Sequence, residues 1–387
     1  MAQQLAGEGL SARPQRSKTG PNRYTPGPSL NPNCPVNQSP LYKLHSEAGA
    51  ALRPPEEASP LLTYGAVPAE YAAANEGAIL FDRTDRGLVQ IDGSDAADVL
   101  HRILSNTVKD LEAGEGNRNL LLTGKGKIRF DFDMRRESEG FRLSTIPGGA
   151  PALLQAIDMF IFAEDVQLTD ATEKHAPLFL GGPQADAILS ALGLELPSAL
   201  HQTCQTELDG TVVRVTRHAP FGLAGYSVDG GPALAPILWS RMLEGGAVPS
   251  GRVVSDILRV EACVALPGHD IDENIYPQEA RLEEAFNLSK GCYIGQEVVA
   301  KIDTYGGLNK RLYALKVSHD DPVPRGSKLS RWSEEKGEWR DLGVVTSWAY
   351  SFKQDTGQVL AYVKRRHQEP GTVFRIDEGP AEATLLE

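Results

Sequence analysis

Ser289-Lys290-Gly291-Cys292-Tyr293-Ile294-Gly295-Gln296-Glu297 is the densest run of chemically capable residues in the chain. Two glycines bracket a cysteine, a lysine precedes it by two positions, and an amide and a carboxylate follow. Glycine permits positive φ and a close approach of backbone to ligand. A thiol near a cationic lysine is expected to lose its proton more readily, and the thiolate is the form that attacks or binds metal. The same residues also suit a tight turn around a small buried cysteine, a common place for that residue. Taken alone, the stretch leaves both readings open.

Working outward, residues 255–262 have helical apolar spacing, and residues 267–277 form a polar loop. Asp270, Asp272 and Glu273 in that loop lack the glycine and distal glutamate of a calcium-binding loop. The four cysteines, Cys34, Cys204, Cys263 and Cys292, are scattered without Cys-x-x-Cys or Cys/His ligand spacing. No built-in metal site is therefore expected, and unpaired thiols suit a reducing cytoplasm. A net charge of −12 argues against a nucleic-acid binder, because phosphate contacts need clustered Lys and Arg. No apolar run is long enough to span a bilayer.

The chain divides into three parts. Residues 1–58 are rich in Pro, Ser, Asn and Gln without apolar periodicity, and are expected to be a disordered tail. Residues 59–310 alternate strand and helix signals, with helices expected at 68–74, 94–104, 150–163, 184–191 and 231–244. Ser94 or Asp95 reads as a helix cap, and Gly124-Lys125-Gly126-Lys127 as a hairpin turn rather than a phosphate loop. Two successive strand–helix–strand units predict an α+β fold of paired sandwiches with largely antiparallel sheets. Residues 311–387 carry short strands between turns such as Lys336-Gly337 and Pro370-Gly371, the pattern of a small β-barrel.

Lys290 to Glu297 resembles the signature of the YgfZ family of folate-binding proteins, relatives of the T-protein of the glycine cleavage system and of eukaryotic iron–sulfur assembly factors. The resemblance extends through Asp92-Gly93, Ser105-Asn106-Thr107, Arg259-x-Glu261-Ala262 with Gly268-x-Asp270-x-Asp272-Glu273, and the segment from Gly343. It implies a T-protein-like fold with ferredoxin-like halves and a C-terminal barrel, and it implies tetrahydrofolate or a derivative as cofactor. Glu261 would then grip the pterin, accepting from its amino group and ring N–H together. Asp131 stands where the T-protein has two adjacent acids, but Phe130 replaces its partner. Cys263 stands where the family usually has glycine and is expected to narrow the pocket. Cys292 is the candidate reactive thiol, with Lys290 favouring the thiolate, Gly291 allowing the sharp loop, and Gln296 bonding ligand or loop backbone.

The implied function is that of a tetrahydrofolate-binding accessory protein for iron–sulfur cluster assembly or repair, with iron–sulfur enzymes or assembly proteins as partners. A single cysteine cannot hold a cluster, so a partner would share that task. The alternative is a tetrahydrofolate-dependent aminomethyltransferase of the glycine cleavage type, against which the loss of the acid at Phe130 speaks.

Overall fold

The computed structural model describes residues 39–54 and 61–386. A five-stranded sheet runs in the order Gly116–Leu122, Ile128–Glu137, Gly140–Thr145, Gly87–Asp92, Gln167–Asp170, antiparallel throughout. Helices Ala96–Ile103 and Ala150–Asp158 cover one face, burying Val99, Leu100, Leu153 and Ile157 against Val89, Phe132 and Phe141. A six-stranded sheet runs Thr203–Leu208, Thr211–His218, Gly225–Asp229, Leu178–Gly181, Ile79–Asp82, Val248–Ser250, parallel only at its last pair. Helices Ala185–Ala191 and Ala235–Glu244 pack on one side of it, and Val67–Glu76 and Arg252–Glu261 on the other.

Strand Ile79–Asp82 belongs to the second sheet and strand Gly87–Asp92 to the first. The turn at residues 83–86 therefore crosses the seam between them and brings Arg83 and Arg86 there. Arg252–Glu261 is apolar on both flanks. Leu258 faces the six-stranded sheet, and Ile257 and Val260 face a cluster shared with the C-terminal strands. Those strands close into a six-stranded barrel filled by Leu315, Val345, Val359, Val363 and Phe374. The fold is thus the expected α+β module with a terminal barrel.

Several details differ from the sequence reading. Residues 1–38 and 55–58 of the expected tail lie outside the described residues, but the rest of it is packed. Helix Tyr42–Glu47 is preceded by the fully buried Leu41. Ser39 Oγ donates to Asp82 at 2.6 Å, and His45 Nε2 lies 3.0 Å from the same carboxylate. The module therefore begins at least twenty residues before position 59, because these few polar anchors, with Leu41 and Leu44 packed on the core, dock a segment whose composition reads as tail. Neither Ser94 nor Asp95 caps its helix by side chain. They clasp Asp165 instead, with Asp165 N donating to Asp95 at 2.8 Å. The hairpin at residues 123–127 forms as expected.

Candidate functional site

A cleft enclosing about 1060 Å³, part of it open to solvent, lies over the seam. Its wall combines Ile146, Pro147 and Phe221 with Arg83, Arg86, Arg252, Arg259 and His269, and with the carboxylates Asp82, Asp85 and Asp256. The Arg83 guanidinium stacks over Phe221, 4.8 Å from the ring centre. Burial and the neighbouring Arg86 push Arg83 down to about 10, so it keeps its charge at neutral pH. Apolar walls with a few charged groups suit a small organic ligand.

Behind the cleft sits a charged centre. Strand alternation sends Asp131 and Asp133 to one face and Phe130 and Phe132 into the helix-covered core. Arg118 clamps Asp131 with two bonds, Nε to Oδ1 at 2.9 Å and Nη2 to Oδ2 at 2.6 Å. Asp131 is thus a buried, paired carboxylate. Burial alone would raise the Asp133 carboxyl, but His218, His201 and Arg86 outweigh it and hold that carboxyl well below the usual range. Arg86 links the two regions: it lines the cleft and feels the charges of Asp133 and Asp131.

Glu261 lies elsewhere. Its oxygens accept from Tyr71 Oη at 2.8 Å, Ser351 Oγ at 2.7 Å and Lys353 N at 3.1 Å. With its side chain 1% exposed, the carboxylate joins the end of helix Arg252–Glu261 to the barrel. Cys263 adopts φ 54°, the left-handed conformation just past that helix, which explains why glycine suits the position. It does not line the cleft, so it does not narrow it.

The signature loop docks on two elements. His101 Nε2 donates to the Lys290 carbonyl at 2.8 Å, and Lys290 Nζ donates back to the His101 carbonyl. Gly295, at φ 81°, abuts the hairpin, where a Cβ would stand 2.5 Å from the Thr123 carbonyl. Gln296 Nε2 donates to the Leu288 carbonyl at 3.2 Å and opens helix Gln296–Tyr305. Gly291 takes φ 107°, and Cys292 beside it is exposed. Ser105 and Asn106 hold the preceding segment, donating to the carbonyls of Ala285 and Glu284 at 2.6 and 2.8 Å. Lys290, Gly291 and Gln296 therefore build the loop that presents Cys292. None of Asp131, Glu261, Lys290, Gly291, Cys292 and Gln296 lines the cleft.

Arg83, Arg86, Arg118, His201 and His218 were not singled out by sequence reading. Their partners are distant in the chain, and only the crossing turn at 83–86, two arginines between two strands, carried a local signal. Among the described residues, no helix is long and apolar enough to cross a membrane.

Residues 41–290 match the family model of the GCVT N-terminal domain, a span that begins where the packed chain begins. An aminomethyltransferase of Rubrobacter xylanophilus is 30% identical over 354 residues, covering 91% of this chain and 93% of that protein. A chloroplastic putative transferase of Arabidopsis thaliana is 25% identical over 79% of this chain and 70% of its own length. The crystal structure of the glycine cleavage system aminomethyltransferase T from Bartonella henselae superposes with a TM-score of 0.79 at 26% identity, covering 91% of this chain and 97% of that one. Fold, matched span and full-length relatives together place this chain in the GCVT family, the family of the aminomethyltransferases.

Proposed function

We propose that the protein binds tetrahydrofolate in the arginine-lined cleft and transfers aminomethyl groups, the activity named for its full-length relatives. The residues suit the cofactor: Phe221, Ile146 and Pro147 offer apolar surface for an aromatic ring system, and Arg83 and Arg86 offer charge for its carboxylates. Bound tetrahydrofolate would supply the nitrogen that accepts the one-carbon unit. The chain's own contribution would be a negative charge at Asp131 behind the cleft, held in one orientation by Arg118 and felt by Arg86 in the cleft wall, which it would help to position against the ligand. The observation that carries this reading is the direction of the strand. Phe130 points into the core, so its replacement of an acid removes nothing from the face that bears Asp131. The test is folate-dependent ammonia release from an aminomethyl-lipoyl carrier. Asp131→Asn should lower kcat by about 100-fold or more while Cys292→Ala keeps it. Turnover indifferent to Asp131, or none in the unaltered protein, rejects the reading.

A second reading has its own support. Lys290, Gly291, Gln296 and Gly295 all serve to build a loop whose tip is an exposed thiol. That arrangement suits a folate-binding accessory protein of the YgfZ type, whose Cys292 meets iron–sulfur enzymes or assembly proteins in the cytoplasm. Cys292→Ala would then lower iron–sulfur enzyme activity in cells without changing folate affinity. Full activity in that variant removes the support.

A further inference from the structure

Three donors converge beside the charged centre. Asp133 leaves strand Ile128–Glu137 two residues after Asp131. His218 ends strand Thr211–His218, and His201 sits in the turn before strand Thr203–Leu208. His218 Nε2 lies 3.2 Å from Asp133 Oδ2, and His201 Nδ1 lies 3.9 Å from Oδ1. One ligand atom from each of the three falls within 4.8 Å of the others. Ions of this size sit about 2.1 Å from each donor, which calls for donors roughly 3–3.5 Å apart. Small side-chain rotations would bring the three to that spacing.

A simple ion pair would need one histidine. Here a second, His201, is supplied from a turn at φ 63°, a left-handed conformation that His, like Asn and Asp, adopts more often than other side chains. The turn is held in place: His201 N donates to the Arg217 carbonyl at 2.8 Å and Thr203 N to the Gly114 carbonyl at 2.7 Å. The three side chains are 15–17% exposed, shielded yet reachable.

We propose that Asp133, His201 and His218 form a binding site for a divalent first-row transition ion such as zinc or iron(II). Two imidazoles and one carboxylate on one side of an ion leave its other positions open. Arg86, which acts on Asp133 and lines the cleft, disfavours a bare cation. An anionic ligand in the open positions would offset that charge. The site does not depend on folate binding or on aminomethyl transfer.

The full-length protein, stripped with chelator, would be titrated with Zn²⁺ by calorimetry and with Co²⁺ by visible absorption. Saturable binding of one ion per chain is expected, with cobalt bands of low-symmetry coordination. Asp133→Asn and His201→Asn should each weaken binding by at least about tenfold, and Cys292→Ala should leave it unchanged. Should Asp133→Asn fail to fold, His201→Asn decides, because asparagine tolerates the left-handed backbone there. No saturable binding, binding retained by the His201 variant, or binding lost with Cys292 overturns the site.

Discussion

Lys290 shows how far a side chain's partners depend on the fold around it. Its ammonium was expected to serve Cys292, yet it is drawn inward to the His101 carbonyl and lies over the Tyr293 ring. Burial pushes it down to about 8, with Asp110 opposing. At pH 8 about half of its amine is then neutral, against under about 1% for an ordinary lysine of pKa ~10.4. It should be acylated ahead of exposed Lys301, with a labelling midpoint near pH 8, as peptide mass spectrometry across a pH series would read. A midpoint above pH 10 would place the amine in solvent. Glu261 makes the same point: the resemblance implies that its carboxylate accepts from a pterin, whereas Tyr71, Ser351 and Lys353 supply its donors in the fold. Partners far apart in the chain are set by topology, which a local motif does not encode.

Among the elements, helix Arg252–Glu261 and the loop around Cys292 decide how the site is framed. Glu261→Ala leaves Tyr71 and Ser351 without their acceptor and should cost about 2–3 kcal/mol in urea unfolding. Folate affinity, measured where the variant is folded, should not change. A fall in affinity with stability intact would restore the pterin role expected from sequence. Gly295→Ala puts a Cβ against the Thr123 carbonyl at φ 81° and should destabilise by at least about 2 kcal/mol, exposing Cys292 to faster alkylation. Unchanged stability would mean the hairpin contact is loose. The strongly apolar strands and the longer helices beyond residue 61 were legible in the sequence, whereas helix Tyr42–Glu47 was not, with only His45 of its six residues buried. Thr203–Leu208 was not, being a sheet-edge strand whose six residues are all at least partly exposed. Lys328–Ser333 and Glu382–Leu385, strands of the closed barrel, escaped because each buries only two residues, too few to show an apolar alternation.

On the scale of the whole molecule, barrel and module read from sequence as separate units, but their packing makes them one. Ile257 and Val260 share a cluster with Leu312, Leu360 and Tyr362. Arg259 Nη1 donates to Asp270 at 2.9 Å, Ser347 Oγ donates to the same carboxylate at 2.6 Å, and Tyr362 Oη donates to the Asp270 carbonyl at 3.0 Å. Asp270, in a loop that looked merely polar, thus ties helix, loop and barrel together through a buried side chain. Arg259→Met strands that carboxylate, and breaking a buried pair from one side costs about 3–5 kcal/mol. The loss should fall on both parts at once. Among the described residues every helix lies before residue 306, and three of the four tryptophans lie in the barrel. Helical circular dichroism therefore follows the module, and the fluorescence of a Trp239→Phe protein follows the barrel. In urea the two signals should coincide, and Arg259→Met should move both midpoints down by the same amount. If fluorescence shifts while the helical signal stays, the barrel unfolds by itself and the shared cluster does not couple it to the module.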